Sequence, residues 1–342
     1  MSNPSPAPQP RSGTQRIMEI SFSLAPYRIL VTALELGVFS AIANGKHSAA
    51  DIAAAVGASQ RGSSMLLDAL VAFEFLEKQD GGYELTADSA RYLVRESADY
   101  AGALLESGTQ WEAWGHLAES VRSGKPWRSR SDTENAQQFF PMLIRTLHVT
   151  NRDLSHRLAA ALVPHGARHG LRVLDIGCGS AVWSIAIAKI DPEARVTALD
   201  LPMVLESTRQ FAARENLLDR YEFLPRDMHA ADFPPSRYDV ALLGSIVHME
   251  SPKQARDLFR RIHDALAGGG RLVIIDLIPM NDRTGPPLQM VFALNMLLNT
   301  DEGDTYTLAE YQSWLRDAGF ARVETLEIGS HSPAIVATKV LP

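Results

Sequence analysis

From Leu171 onward the chain alternates short apolar runs with amphipathic stretches, and this alternation limits the fold more than any other feature. Strand-like runs lie at 171–175, 195–200, 221–225, 238–247 and 270–278, with helical stretches at 182–190, 203–215 and 253–266 between them. In the last of these, Ala255, Leu258, Phe259, Ile262 and Leu266 make one apolar stripe at helical spacing. A helix at 307–318 and two further strand candidates, 321–328 and 333–340, finish the chain. Strands separated by helices pair as a largely parallel sheet with helices on both faces. The expected class is therefore α/β, a doubly wound sheet filling 169–342.

The first half has a different texture. Residues 1–13, rich in Pro and Ser, read as a disordered tail. Positions 14–45 read as helix, kinked or interrupted at Pro26. Ser48 to Asp51 resembles a capping box opening a short helix that ends at Gly57, and a second helix is expected from about Ser63 to Leu76. Asp80-Gly81-Gly82 then separates two short apolar runs as a hairpin turn would. Helix, helix and a two-stranded wing over 14–100 is a winged-helix pattern. The expected recognition helix carries Asp68 and Glu74 but no Lys or Arg, which disfavours a DNA reader. Residues 101–168 read as a helical linker whose aromatic residues, Trp111, Trp114, Trp127, Phe139 and Phe140, are mostly core.

Composition narrows the partners. A net charge of -7 argues against nucleic acid, because phosphate binding needs a surplus of Lys and Arg. Cys178 is the only cysteine, so no internal disulfide can form, which suits a reducing cytoplasm. The N-terminus lacks a secretory pattern, and no stretch reaches the uninterrupted apolar length of a membrane span. A cytoplasmic protein with neither nucleic-acid nor membrane partners is expected.

In a doubly wound sheet, ligands bind beyond the carboxyl ends of the strands. The first strand of the second half runs into Val173-Leu-Asp-Ile-Gly-Cys-Gly179, and a helix starts soon after. Glycines there admit close backbone approach, and free amides at the helix start can bind an anion. The last glycine of a dinucleotide fingerprint is Val182 here. Asp175 places an acid where an ammonium could be held, Asp200 closes the next strand and suits ribose hydroxyls, and Asp227 follows the third. Acids at three successive strand ends repel phosphate and suit a cationic nucleoside such as S-adenosylmethionine. Beyond the fourth strand, His248 stands where a general base would, and Asp276, ending the fifth, can orient its ring. No metal-ligand cluster is evident, and Cys178 reads as a small filler.

With these residues in hand, the chain resembles the small-molecule O-methyltransferase family, of the plant caffeate and bacterial antibiotic-tailoring type. The likeness spans nearly the whole sequence, through Ala33-Leu-Glu-Leu-Gly-Val-Phe39, Asp175-x-Gly-x-Gly179, Asp200-Leu-Pro202, Asp227-Met228, His248, Gly268-Gly-Gly270 and Ala318-Gly-Phe320. It implies a Rossmann-like methyltransferase sheet behind an N-terminal winged-helix dimerisation domain, in a homodimer whose N-terminal modules close the partner pockets. It implies that Gly177 packs on the methionyl part of S-adenosyl-L-methionine, Asp200 binds ribose and Asp227-Met228 hold adenine. Asp175, Gly179, Leu201 and Ser245 complete the cofactor set. His248 becomes the base for a small-molecule methyl acceptor, with Asp276 orienting it.

Several positions depart from the family's pattern. Its third glycine is Ala181, the pair after the base is Met249-Glu250, a frequent lysine is Gly244, and the second supporting acid is replaced by Thr305, near Glu302 and Asp304. Asn295 and Met296 are the acceptor-pocket candidates, with Met142 and His148, from the helical linker, weaker ones. O-methylation of a small phenol or hydroxylated aromatic is the leading expectation. Carbon or nitrogen methylation is the alternative within the fold, and a ligand-sensing winged-helix protein is the alternative outside it.

Overall fold

The computed structural model describes residues 12–129, 133–163 and 170–341. It divides into two compact units, Met1–Ser107 and Gly108–Pro342. Most of the expected tail lies outside the described residues, and Ser12 already caps a helix with a reciprocal bond to Gln15.

In the first unit, α1 (Gly13–Phe22), α2 (Leu24–Leu36) and α3 (Val38–Ala43) replace the single kinked helix. The breaks fall at Ser23 and Gly37, not at Pro26. Pro26 sits in the first turn of α2, where its missing N–H had no intrahelical partner to lose. Gly37 takes φ 77, the left-handed cap that ends a helix. Ser48 caps α4 (Ala49–Ala55) by accepting from the Asp51 amide, as expected. The next helix, α5 (Gln60–Ala72), starts earlier than expected because Ser59 takes the cap, and this brings exposed Arg61 into a helix read as lacking cations. The antiparallel strands β1 (Leu76–Gln79) and β2 (Gly82–Leu85) follow, joined through Asp80 and Gly81 at φ 49 and 81, the left-handed pair of a two-residue hairpin turn. Helices α6 (Ala87–Tyr92) and α7 (Ala103–Glu106) complete the unit, whose core gathers Leu34, Phe39, Ile52, Leu67 and Leu70. By contrast α1 buries nothing and exposes Ile17, Met18, Ile20 and Phe22.

The second unit begins with α8 (Thr109–Gly115), α9 (Leu117–Ser123) and the long α10 (Thr133–Leu162). Trp111 on α8 is exposed rather than core. Then come β3 (Arg172–Ile176), α11 (Val182–Ile190), β4 (Arg195–Asp200), α12 (Pro202–Arg214), β5 (Tyr221–Pro225), β6 (Tyr238–Gly244), α13 (Pro252–Ala265) and β7 (Leu266–Ile275). After these lie α14 (Pro287–Asn299), α15 (Leu308–Asp317), β8 (Arg322–Leu326) and β9 (Ala334–Thr338). The seven strands pair in the order β5-β4-β3-β6-β7-β9-β8, parallel except for β9, which runs against both neighbours.

Both faces of this sheet are covered, which is why its central strands are almost continuously apolar. Val173 points into one core, with Trp183, Ile187 and Leu205, while Leu174 and Ile176 point into the other, with Phe259, Ile262 and Tyr311. The chain leaves β3 toward β4 on one side, and β6 pairs on the other, so the switch point lies beyond the carboxyl ends of β3 and β6. That is where the glycine loop and the His248 turn both emerge.

Candidate active site

The glycine loop is tied to the neighbouring strand. The amides of Gly177 and Cys178 both donate to the Leu199 carbonyl, at 2.8 and 3.2 Å. Gly179 N–H donates to Asp200 Oδ2 at 2.9 Å, and Leu201 N–H to Asp200 Oδ1 at 2.7 Å. The amides of Gly177, Cys178 and Gly179 are therefore already engaged, and strand β4 sets the shape of this part of the loop. Gly177 adopts φ 61, and a Cβ there would lie 2.3 Å from Ile246 Cδ1, so only glycine lets the β3 and β6 loops approach this closely.

The three acids differ in setting. Asp175 is 1% exposed and accepts the Ser184 hydroxyl, which also meets Tyr221 Oη at 3.1 Å. Burial pushes its carboxyl up to about 7, against the Ser184 hydrogen bond. Asp200 is half-buried, and burial raises it to about 6 although two backbone amides favour its charged form. Asp227 is exposed, with Oδ1 accepting from the His229 amide at 2.8 Å, and Met228 beside it packs on the core. A close-approach glycine cradle flanked by carboxylates fits a cationic nucleoside such as S-adenosylmethionine and does not favour a phosphate. Cys178 is buried near Thr208, and burial carries its thiol well above the usual range, which suits a filler.

At the end of β6, Ser245 takes φ 60 while its amide donates to the Ile275 carbonyl at 2.8 Å. A non-glycine residue in this left-handed region stores strain, here where the strand gives way to the turn Val247–Met249. Ser251 and Gln254 then close a reciprocal capping box on α13, with Pro252 at its first position, which fixes the exit of that turn.

That turn delivers His248 to Asp276. The ring Nδ1 lies 2.7 Å from Asp276 Oδ1, and the His248 amide donates to Oδ2 at 3.1 Å. Leu277 N–H donates to Oδ1 at 2.8 Å and the Tyr311 hydroxyl to Oδ2 at 3.2 Å. All four contacts hold a buried carboxylate in one orientation. Tyr311 is wholly buried, and burial together with Asp276 drives its hydroxyl far above the usual range, so it serves as a proton-bearing donor.

Acceptor-side candidates fare unevenly. Asn295 is half-buried on α14, with its side-chain oxygen accepting from Asn299 at 3.2 Å, and Met296 is buried. The residue that meets the base is instead Phe292, one helical turn before Asn295, edge-on to His248 with ring centroids 4.9 Å apart. Met142 is half-buried on α10, and His148 stacks on Phe211 at 4.0 Å. Thr305 is fully buried against Gln289, and Asp304 is held bidentately by Arg283 at 2.7 and 2.9 Å. Sequence reading missed Phe292 and Tyr311 because both sit at ordinary core spacings of amphipathic helices.

The comparisons agree with this geometry. The family model of the O-methyltransferase domain matches residues 114–321, and that of the O-methyltransferase dimerisation domain matches 13–95. The chain is 31% identical over 324 residues to 3-hydroxy-5-methyl-1-naphthoate 3-O-methyltransferase of Streptomyces sahachiroi, covering 92% of this chain and 91% of that protein. It is 28% identical over 338 residues to the tetracenomycin polyketide synthesis 8-O-methyl transferase of Streptomyces glaucescens, covering 96% and 97%. In fold it is similar to an O-methyltransferase family protein from Burkholderia thailandensis (TM-score 0.83, 24% identity, 97% and 99% covered). It is also similar to human N-acetylserotonin methyltransferase in complex with S-adenosylmethionine (TM-score 0.80, 24% identity, 98% and 100% covered). With a glycine cradle, strand-end acids and a His–Asp pair on one sheet edge, the chain belongs to the S-adenosylmethionine-dependent O-methyltransferase family.

Proposed function

We propose that this enzyme methylates a hydroxyl of a small phenolic or hydroxylated aromatic metabolite, with His248 as general base. The observation that carries the reading is the His248–Asp276 contact at 2.7 Å. A carboxylate can only accept, so Nδ1 carries the hydrogen and the Nε2 lone pair is left for an acceptor hydroxyl. When Nε2 takes that proton, the buried Asp276 stabilises the imidazolium. S-adenosylmethionine, when bound, supplies an electrophilic methyl group on a sulfonium.

The chain's own residues do the rest by placement. Asp200 binds ribose hydroxyls, Asp227 and Met228 hold adenine, and Gly177 lies against the methionyl part. Asp175, Gly179, Leu201 and Ser245 shape that cradle. Asn295, Met296 and Met142 remain candidates for the acceptor pocket, and Phe292 joins them through its contact with His248. Proximity, alignment and exclusion of water provide the acceleration.

The dimerisation-domain match over 13–95 and the bare apolar face of α1 support a homodimer. Gly13–Leu36 is also long and apolar enough to span a membrane, by length and composition alone. We read that surface as subunit contact, and α4, α5 and the β1–β2 hairpin as a winged-helix module used for assembly rather than for nucleic acid. A single cysteine suits a cytoplasmic setting.

The direct test incubates the protein with methyl-labelled S-adenosylmethionine and a panel of phenols, hydroxylated naphthoates, amines and carbon acids. Label on a phenolic oxygen is the expected outcome. Label transferred only to carbon or nitrogen would overturn the oxygen assignment.

A further inference from the structure

The backbone of His248 is held from a second direction. The turn after α14, residues 300–305, runs past the His248 carbonyl, which accepts the Asp304 N–H at 3.0 Å. Gly303 makes that approach possible. A Cβ there would lie 2.5 Å from the His248 carbonyl oxygen and 3.2 Å from Met249 Cα, backbone atoms that cannot swing aside. The same turn is tied to both ends of α14. Thr300 Oγ1 donates to the Met296 carbonyl at 2.7 Å and accepts the Gly303 N–H at 3.0 Å, while Thr305 Oγ1 donates more loosely to the Gln289 carbonyl at 3.4 Å. Both threonines are buried. Between these anchor points α14 carries Phe292, the ring that meets His248 edge-on.

Asp304 is pinned in turn. Arg283 Nη2 reaches both of its carboxylate oxygens at 2.7 and 2.9 Å, and Thr305 N–H donates to Oδ1 at 2.7 Å. Arg283 lies in the loop that follows Asp276 and holds φ 57, a left-handed conformation costly for a residue with a side chain. We propose that the 300–305 turn is a brace that sets α14, and with it the acceptor side, in register against the His248 turn, with Gly303, Asp304 and Arg283 as its positioning residues. Asp276 takes the amide and Nδ1 of His248; the brace takes the carbonyl. Bonded at both its amide and its carbonyl, His248 cannot pivot with the turn Val247–Met249, so Nε2 keeps one direction. A misplacement of about 1 Å at the reacting atoms can cost on the order of 100-fold in rate, so a backbone brace has catalytic weight without touching substrate. Its parts weigh differently. The Arg283–Asp304 pair is 38% and 40% exposed, so solvent screens it and its share is small. The close approach at Gly303 is the part on which the brace depends.

That the brace serves catalysis rests on His248 being the base, so the test reads the turn and the reaction separately. Hydrogen exchange at the His248 amide, which donates to Asp276, reports whether the turn keeps its place, and exchange at the β3 amides reports the fold as a whole. Both would be measured on the full-length wild type, Gly303→Ala, Arg283→Ala and Arg283→Lys. The same preparations would give the cofactor Kd and kcat for the most rapidly labelled acceptor of the phenol and naphthoate panel. Gly303→Ala is expected to speed exchange at His248 and to lower kcat, each by about tenfold or more, with β3 unchanged and cofactor Kd within about twofold. Arg283→Ala should move the same two quantities by about two- to fivefold. Because one nitrogen meets both oxygens of Asp304, Arg283→Lys should recover most of that loss. Faster exchange at His248 with kcat unchanged would uphold the brace and reject His248 as base. Exchange at the wild-type rate in both Gly303→Ala and Arg283→Ala, or speeded equally at β3, would overturn the brace whatever kcat does. Should Gly303→Ala fail to fold, Arg283→Ala and Arg283→Lys decide the matter.

Discussion

His248 and Asp276 are joined twice, ring Nδ1 to Oδ1 at 2.7 Å and backbone amide to Oδ2 at 3.1 Å. The same carboxylate therefore fixes both the position of the turn and the tautomer of the ring. Asp276→Asn would present an amide that can donate toward Nδ1, favouring the wrong tautomer. A loss of about 100-fold or more in kcat is expected, with the cofactor Kd almost unchanged by calorimetry. Equal losses in both would mean that Asp276 only supports the fold.

Tyr311 tests how far the support of the base extends. Tyr311→Phe removes one of four donors to Asp276 and leaves the aromatic packing with Phe259, Tyr306 and Trp314. Without that donor the carboxylate that orients the His248 ring is held less firmly, so kcat should fall severalfold with the cofactor Kd unchanged. The expected stability loss is about 1–3 kcal/mol, from a hydrogen bond to a charged group. A stability loss with kcat unchanged would make Tyr311 a packing residue only.

Asp175 and Asp200 make folding pH-dependent. Asp175 near 7 and Asp200 near 6 both titrate above an unfolded carboxyl, which lies at about 4. A raised folded-state value means their contribution to stability is fully present below the unfolded value and is lost as pH rises through 6 to 7. Asp175→Asn, whose amide oxygen can still accept from Ser184, should flatten this loss. Denaturant melts of the ligand-free protein should find the variant gaining on wild type between about pH 5 and pH 8. Parallel curves at both pH values would contradict the raised value. Binding of a cation beside these acids favours their charged forms, so cofactor affinity should strengthen over the same range.

Gly177→Ala combines a left-handed backbone with a Cβ 2.3 Å from Ile246 Cδ1. Cofactor affinity should fall by about tenfold or more, with a stability cost of about 1–3 kcal/mol. Adding Ile246→Ala should relieve the steric part but not the backbone part, so recovery would be partial. Full affinity in the single variant would show that the loop's close approach is unimportant.

Much of this site is legible in the sequence because its residues are strand-end residues. Asp175, Asp200, His248 and Asp276 follow apolar runs whose register is dictated by burial on both faces of the sheet. The first unit's helix boundaries were less legible. Ser59 and Ser63 are both chemically suitable caps, and choosing Ser59 brought Arg61 into α5. Pro26 looked like a break but is harmless at a helix start. Phe292 and Tyr311 were hidden for another reason. Each joins elements distant in sequence, and apolar spacing alone cannot say which core residue faces the base.

The most direct measurement compares His248→Ala with wild type in labelled methyl transfer and in S-adenosylmethionine calorimetry on the same preparations. The expected result is transfer reduced by about 100-fold or more, with cofactor affinity within about twofold of wild type. Transfer at the wild-type rate in that variant would contradict His248 as the base.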